Sequence, residues 1–320
     1  MKFTLEINSP KDQLQAFDCW NPNEIISEFS EVNDSNMNKV LRIHTNQRSV
    51  IAKQSRTFVR KFPQIPAPIE RIQTEKRFYE EIQKDSELAG FSPRILAWYP
   101  ESYLLITEDL GELGDFSGIY SQDKKIQQNQ IDQLIQYLDQ LHRLQPQDFP
   151  ENLAMRTLNH EHIFKFPFEE ENGFDLNTIQ EGLQELSLDF KRDEKLKEVI
   201  TKLGSRYLAE GKVLLHGDFY PGSWMDARKS VKIIDPEFSF LGDAEFDLGV
   251  FLAHADFGNQ GKEVESALKS NYNNSFDWDL TQAYRGVEIM RRLIGIAQLP
   301  LNLTLSQKQS LLSQAKNYIL

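Results

Sequence analysis

Segment 213–254 constrains this chain more than any other, because in it two short apolar runs each end at an aspartate. The run 213–215 leads into His216-Gly217-Asp218, and the run 231–234 leads into Asp235. Short apolar runs that stop at turn residues are typical of β-strands. The segment therefore predicts two short strands, each of which delivers a carboxylate to a turn.

A hairpin between these two runs, turning through 224–230, is the simplest arrangement. It would gather the side chains of Asp218, Ser223, Asp235 and Glu237 at one end. Such a cluster offers a base for a hydroxyl proton and hard oxygen ligands for Mg²⁺, as phosphoryl transfer from ATP requires. The alternative is that these aspartates serve only as turn residues. The combined offsets of the four residues favour the site.

The composition is that of an ordinary globular protein, with 320 residues and a formal charge of −12. This charge argues against a nucleic-acid or anionic-membrane partner. An anionic ligand such as ATP remains compatible with this net charge if Mg²⁺ and local cations offset the electrostatic repulsion. Cys19 is the only cysteine, which excludes an intrachain disulfide. The first residues lack the apolar stretch of a signal peptide, and no run is long enough to span a bilayer, so we expect a cytoplasmic protein.

The pattern changes from strands to helices along the chain, which predicts an α+β fold with a β-rich N-terminal lobe, a helical C-terminal lobe and a cleft between them. A short helix is expected at 25–29. Expected strands are 39–43, 49–53, 94–99 and 102–107. Other expected helices are 69–88, 124–144, 178–190, 194–209, 246–256, 278–298 and 306–319.

Lys53 ends an apolar run and is suited to clamp ATP phosphates. Glu75, in the following helix, is the natural partner to hold it, although an exposed pair would contribute at most about 1 kcal/mol. The polar stretch 31–38, which includes Asn36 and Asn38, precedes the run 39–43. It is suited to cover phosphates, and equally to be an ordinary hairpin turn.

Arg291 and Arg292 interrupt an otherwise apolar helix. Adjacent helix positions are about 100° apart, so we expect only one of the two to face a site. The alternative is that both are surface arginines whose aliphatic stems cover apolar residues. Asp243 is expected to cap the next helix, and both Asp243 and Asp247 are expected to brace the loop that carries Asp218. The stretch 158–164 contains two histidines, which we interpret as packing and capping rather than metal binding.

These motifs together resemble a known family. HGDFYPGS, IIDPEF and GDAEFDLG resemble the catalytic block of the aminoglycoside phosphotransferase and choline kinase superfamily, which has a protein-kinase-like fold. Further motifs resemble one branch, the methylthioribose kinases. They are serine at 223, Asp-x-Glu at 235–237, NDSNMN at 33–38, KQ and FVR within 53–60, EDL at 108–110 and RRLIGIA at 291–297.

The resemblance implies a bilobal kinase that uses ATP and Mg²⁺. Its nucleotide-binding lobe would cover 1–107, its hinge 108–112 and its catalytic and substrate-binding lobe 113–320. The implied residues are Asp218 as base and acceptor ligand; Asn36, Asn38, Lys53, Glu75, Glu108 and Leu110 for nucleotide; Ser223, Asp235 and Glu237 for metal; and Arg291 and Arg292 for the acceptor.

The implied substrate is a small-molecule hydroxyl compound, first of all 5-methylthioribose. Alternatives are an amino alcohol, an aminoglycoside or another sugar, and a catalytically silent nucleotide-binding regulatory protein. A homodimer remains open. Two features depart from the family pattern: Asn33 and Ser35 replace loop glycines, which affects how closely the backbone approaches phosphate, and the chain is short.

Overall fold

The strands near the start of the chain form one antiparallel sheet. The computed structural model describes residues 3–32, 37–60, 62–121, 124–228 and 230–320. Among these residues the sheet has the order β1-β2-β3-β7-β6. Its strands are β1 Ile26–Glu31, β2 Lys39–Thr45, β3 Ser49–Gln54, β6 Ile95–Tyr99 and β7 Leu104–Glu108.

Alternating side chains of this sheet bury one apolar face, as period-two strands do. Leu41, Ile43, Val50, Ala52 and Ile106 are all fully buried. The remaining elements of this part of the chain are α1 Lys11–Gln15, β4 Phe58–Val59, β5 Phe62–Pro66 and α2 Arg71–Ile82. The predicted strands at 39–43 and 49–53, the hairpin near residue 100 and the helix after residue 69 are confirmed, with shifted ends.

The helix predicted at 25–29 is wrong, because this segment lies in β1. The register with β2 is irregular between Ile26 and Glu28. This irregularity places Ile26 and Phe29 on the same buried face although they are three residues apart. A spacing of three imitates the helical period, and this explains the error.

Helices dominate the rest of the chain. They are α3 Gln128–Leu141, α4 Leu153–His160, α5 Leu183–Lys191, α6 Glu194–Leu208, α7 Ala244–Phe257, α8 Gly261–Asn271, α9 Trp278–Ile294 and α10 Leu305–Ile319. Apolar side chains cover almost every side of α7, as expected of a central, buried helix. The prediction missed α4 and α8, and the other predicted helices are confirmed with shifted ends.

The predicted pairing of 213–215 with 231–234 is also wrong. β9 (Val213–Leu215) pairs with β12 (Phe240–Gly242). Residues expected to form the turn are instead a strand, β10 (Trp224–Asp226), which pairs with β8 (Gly114–Asp115). β11 is Val231–Ile233. Three-residue apolar runs carry too little pattern to specify their partners, so tertiary packing decides the pairing.

The chain divides into two compact units. One contains Met1–Leu113 and Lys232–Phe238, and the other contains Gly114–Val231 and Ser239–Leu320. The division differs from the predicted boundary because Lys232–Phe238, which carries Asp235 and Glu237, groups with the N-terminal unit. Among the described residues, no helix has the length and apolar character needed to cross a membrane.

The side chain of Gln54 anchors the start of the chain to the lysine strand β3. Its Nε2 donates to the carbonyls of Phe3 (2.8 Å) and Ser102 (2.6 Å), and its Oε1 accepts from the Leu5 N–H (2.8 Å). We expect Gln54→Ala to lower the free energy of unfolding by about 3 kcal/mol, because three buried backbone groups lose this partner. Urea denaturation measures the effect.

Gln47→Ala is the matched control. Gln47 is exposed, and its Nε2 donates to the Pro22 carbonyl at 2.9 Å. We expect a change within about 0.5 kcal/mol. Equal losses in the two variants would contradict the anchoring by Gln54.

Candidate active site

Lys53 lies in a buried cluster of charges in the N-terminal unit. Its Nζ is 2.7 Å from Glu75 Oε2 and 2.6 Å from Asp235 Oδ1. β3 supplies the lysine, α2 supplies Glu75, and the segment after β11 supplies Asp235. The predicted pairing of Lys53 with Glu75 is therefore present, and it is buried rather than exposed.

The charges in this cluster shift one another's pKa values. Burial by itself would lower the pKa of Lys53, but Asp235, Glu75 and Glu237 raise it above its ordinary value. Burial raises the pKa of Glu75 to about 7, and Lys53 only partly offsets this effect. Burial, reinforced by Asp235, also raises the pKa of Glu237. The lysine therefore stays cationic, while the carboxylates experience an excess of negative charge.

Glu237 is held by two side chains of the same unit. Its Oε2 accepts from Asn38 Nδ2 at 2.7 Å and lies 3.2 Å from Arg71 Nε. Asn38 in turn accepts from Ser55 Oγ at 3.0 Å. The amide of Asn38, predicted to bind nucleotide, thus contacts a predicted metal ligand. Asn36 lies outside the described residues, together with the rest of 33–36, which is half of the predicted phosphate-covering stretch 31–38.

Arg71 joins three backbone segments to Glu237. Its Nη1 donates to the carbonyls of Arg56 (2.7 Å) and Pro68 (2.7 Å), and its Nη2 donates to the carbonyl of Met37 (2.8 Å). The side chain is fully buried. Sequence reasoning missed this residue because an arginine at the start of a helix carries no distinguishing pattern.

The predicted hinge is held in place by Asp109. Asp109 accepts from Arg42 Nε (2.7 Å) and Ser49 Oγ (2.5 Å), and from the Gly111 N–H (2.9 Å). Although burial would raise the pKa of Asp109, these hydrogen bonds lower it. The backbone of Glu108 and Leu110, predicted to face the adenine, is therefore held on both sides of an anchored residue.

Asp218 stands at the end of a tightly held turn in the C-terminal unit. Gly217 adopts a φ of 82°, which glycine tolerates without strain. The buried carboxylate of Asp247 accepts the N–H groups of His216 (2.7 Å) and Gly217 (3.0 Å). The prediction that Asp247 braces this loop is confirmed. Ser223 Oγ donates to the Asp218 carbonyl at 3.2 Å.

Asp243 differs from its prediction. It occupies the N-cap position of α7, but its side chain makes no capping hydrogen bond. Instead it accepts from Arg206 Nε (2.6 Å) and Nη2 (3.0 Å). Both carboxylate oxygens are thus paired with the guanidinium of Arg206 and not with the N–H groups of the helix terminus.

Arg291 and Arg292 both approach Asp218, which contradicts the expectation that only one faces a site. Their Nη2 atoms lie 4.0 and 3.7 Å from Asp218 Oδ1. Both also pair with Glu288, one turn earlier in α9, through Arg291 Nε (3.2 Å) and Arg292 Nε (2.7 Å). Glu288 is three residues from one arginine and four from the other, and both spacings bring helical side chains together.

The carboxyl group of Asp218 combines burial with nearby positive charge. Burial raises its pKa, and Arg292 and Arg291 only partly offset the increase. A carboxylate with a raised pKa accepts a proton more readily, which is what a general base needs. The arginines add donors that stabilise developing negative charge.

A second hydrogen-bond chain reaches Glu288 from α7. His254 Nε2 is 3.1 Å from Glu288 Oε1, and His254 Nδ1 is 2.7 Å from the Tyr120 hydroxyl. The carboxylate accepts the Nε2 proton, so Nδ1 accepts from the tyrosine. Burial lowers the pKa of His254 to about 4, and Arg292 and Arg291 act in the same direction, although Glu288 opposes them.

The first unit has the donors that Mg²⁺ prefers. Glu75, Asp235 and Glu237 place three carboxyl groups beside the two cations Lys53 and Arg71, and a bound divalent ion would favour the ionised form of these acids. Asp235 is half-exposed and therefore accessible. Among the described residues, no three histidine, cysteine or acidic side chains are arranged to hold a metal ion. Magnesium commonly needs only one or two carboxylates beside phosphate and water.

The histidines of 158–164 pack against aromatic rings, as expected. The ring of His160, for example, lies 5.5 Å from that of Phe164. Glu288 was not predicted, although its signal, Glu-x-x-Arg-Arg, is legible in the sequence as an i,i+3 and i,i+4 pattern.

A solved structure shows the same fold as this chain. LicA, solved in complex with AMP, matches 96% of this chain and 97% of its own with a TM-score of 0.55 at 13% identity. The predicted protein-kinase-like fold, β-rich at the N-terminus and helical at the C-terminus, is thereby confirmed.

The family follows from the sequence comparison. The model described as "Phosphotransferase enzyme family" (APH) matches residues 31–284, so the chain belongs to that family. The methylthioribose kinase of Exiguobacterium sibiricum is 28% identical over 241 residues, which cover 71% of this chain and 60% of the relative. That of Bacillus mycoides is 24% identical over 265 residues, which cover 73% and 62%. The aligned part of the chain thus spans about 60% of these relatives.

Replacing Arg71 tests the buried cluster of the first unit. We expect Arg71→Ala to lower the free energy of unfolding by about 4 kcal/mol, because Glu237 keeps its charge but loses its guanidinium partner. Arg71→Lys should lower the free energy of unfolding by a smaller amount, because lysine retains the positive charge. Some loss remains because lysine lacks the planar guanidinium. Chemical denaturation measures both variants.

Arg94→Ala provides the control for Arg71. The Arg94 side chain is exposed and pairs with Glu108 at 3.1 Å. Exposed pairs contribute at most about 1 kcal/mol. A loss as large as that of Arg71→Ala would show that the measurement does not report burial.

The pKa of His254 predicts a pH dependence of stability. Its folded pKa is about 4, below the ordinary value of about 6.5, so the unfolded chain binds the proton first as the pH falls. The free energy of unfolding therefore decreases as the pH falls from about 6.5 to about 4. From pH 7 to pH 5 we expect the wild type to lose about 2 kcal/mol more than His254→Gln. Equal pH dependence of urea unfolding in both proteins would contradict this assignment.

Proposed function

We propose that this protein is a kinase that transfers the γ-phosphoryl group of ATP to a hydroxyl of a small sugar, with 5-methylthioribose as the first candidate. Membership of the phosphotransferase family and similarity to methylthioribose kinases support the proposal. Similarity of fold by itself would not support the proposal, because proteins with the same fold catalyse many different reactions.

The observation that carries the proposal is the set of charges around Asp218. A mostly buried carboxylate of raised pKa has two guanidinium groups about 4 Å from one of its oxygens. Asp218 would accept the proton of the acceptor hydroxyl as that oxygen attacks phosphorus. Arg291 and Arg292 would hydrogen-bond the acceptor or the negatively charged phosphoryl oxygens.

The nucleotide would be handled by the N-terminal unit. Lys53, held by Glu75, would bind phosphate, and the backbone of Glu108 and Leu110 would contact adenine. Asn38 would act through Glu237, to which its amide donates. Asn36 remains a proposed phosphate-loop residue on the basis of the resemblance.

Mg²⁺ would be held by Asp235 and Glu237, with Ser223 as a further proposed ligand. The hydroxyl hydrogen of Ser223 is donated to the Asp218 carbonyl, which leaves the oxygen lone pairs for a cation. When bound, the ion neutralises phosphate charge. Lys53 would orient the carboxylate of Asp235. Asn38 and Arg71 would orient the carboxylate of Glu237.

The arginines favour a neutral acceptor. Guanidinium groups are donors only, which suits sugar hydroxyl oxygens and disfavours the ammonium groups of choline or an aminoglycoside. An amino alcohol, an aminoglycoside and another sugar therefore serve as comparison acceptors. A homodimer and a cytoplasmic location stay predictions.

An acceptor screen tests the proposal. Purified protein is incubated with ATP, Mg²⁺ and one of 5-methylthioribose, ribose, choline or an aminoglycoside, and ADP release is measured. We expect acceptor-dependent ADP release with the sugars and most of all with 5-methylthioribose. Asp218→Asn should lower turnover by about 1,000-fold, because the amide cannot accept the proton, while ATP affinity is retained.

Asp189→Asn, an exposed change on α5, is the control and should leave turnover unchanged. Turnover with choline and not with sugars would show that the acceptor is an amino alcohol and would contradict the proposed sugar acceptor. ATP binding without turnover on any acceptor would favour the catalytically silent alternative. Full activity of Asp218→Asn would remove Asp218 as the base.

A further inference from the structure

Glu288 is the point at which both arginines of the candidate site are held. Its Oε1 accepts from Arg292 Nε at 2.7 Å, and its Oε2 lies 3.2 Å from Arg291 Nε. The carboxylate is almost completely buried. Arg292 therefore donates its Nε–H to Glu288, Arg291 forms an ion pair with the same carboxylate, and the Nη2 atoms of both arginines lie toward Asp218.

This orientation keeps the arginines short of direct hydrogen bonds with Asp218. Their Nη2 atoms stop 3.7 and 4.0 Å from Asp218 Oδ1, beyond the usual length of a charge-assisted hydrogen bond. The two guanidinium groups carry two positive charges, and the carboxylates of Asp218 and Glu288 carry two negative charges. Without the charge of Glu288, two guanidinium groups would share one carboxylate and would be drawn onto it.

Glu288 is itself held from the opposite side. His254 Nε2 donates to the same Oε1 that accepts from Arg292, and the Tyr120 hydroxyl donates to His254 Nδ1. His254 and Tyr120 are both buried. The carboxylate is thus located by groups on α7 and on the 3₁₀ turn Ser117–Ser121 as well as by its own helix.

We infer that Glu288 is a positioning residue that holds Arg291 and Arg292 in place beside Asp218 and prevents them from closing onto its carboxylate. Asp218 then remains available to the acceptor hydroxyl, and the outer guanidinium nitrogens remain available to the acceptor or the phosphoryl group. This inference rests on the proposed function for its catalytic consequence, but its geometric content is independent of that function.

Glu288→Gln tests the inference, because it preserves the volume of the side chain and removes its charge. With the acceptor found in the screen, we expect kcat to fall about 100-fold while the KM for ATP stays within about twofold. Glu288→Asp keeps the charge and should retain more activity than Glu288→Gln. Equal losses in the two variants, or a loss expressed mainly in the KM for ATP, would overturn the inference.

Asp256→Asn is the matched control for stability. Asp256 pairs with Arg285, another buried arginine of α9, through Nε (2.6 Å) and Nη2 (2.6 Å). This substitution also removes one carboxylate from a buried arginine pair. We expect it to lower the melting temperature without changing kcat. A kcat loss in Asp256→Asn equal to that in Glu288→Gln would show that any disturbance of α9 lowers activity, and would overturn the inference.

A double variant separates positioning from a general structural effect. If Glu288 acts through the arginines, Glu288→Gln should lower kcat by a much smaller factor in the Arg292→Ala background than in the wild type. Equal fold losses in the two backgrounds would mean that Glu288 acts independently of Arg292 and would contradict the inference.

Arginine side-chain NMR tests the geometry without any turnover. The Nε–H of Arg292 should exchange slowly with water in the wild type and faster in Glu288→Gln. Fast exchange in the wild type would overturn the positioning inference even if sugar kinase activity is present. Slow exchange in a wild type that phosphorylates no acceptor would leave the positioning intact and reject the proposed function. If Glu288→Gln does not fold, Glu288→Asp and the wild-type exchange rate still decide the question.

Discussion

Charge compensation in the protein interior is the constraint on which the candidate active site depends. An isolated buried charge costs several kcal/mol, and only close counter-charges and hydrogen bonds offset that cost. In the N-terminal unit Lys53 is compensated by Glu75 and Asp235, and in the C-terminal unit Arg292 is compensated by Glu288. The positions of the functional side chains follow from these pairings.

The two units compensate their charges differently, and the difference agrees with the proposed division of labour. Around Lys53 the carboxylates exceed the cations, which suits a divalent ion and a phosphate. Around Asp218 the opposite charges balance, and the arginine nitrogens stop short of direct hydrogen bonds with the base. In the proposed function, the first environment would bind ions and the second would keep the carboxylate of Asp218 reactive.

Rigid elements support both sets of residues. The turn at Asp218 is fixed by Asp247, which projects from the first turns of the buried helix α7. The lysine strand β3 is anchored through Gln54, and the hinge segment through Asp109. Functional groups mounted on strands and helices in this way need little reorganisation when a reaction begins.

The sequence by itself determined the family and the order from strands to helices, because these follow from local motifs and periodicity. The same motifs predict Lys53, Glu75, Asp218 and Asp235 as site residues. Only the tertiary structure decided how the short strands pair, that the segment at 25–29 is a strand, and that Arg291 and Arg292 converge. A three-residue strand carries no register signal, a β-bulge imitates helical spacing, and long side chains can bend around a shared carboxylate. The part of Arg71 in holding Glu237 has no local signal either, since its backbone partners belong to three separate segments that only folding brings together.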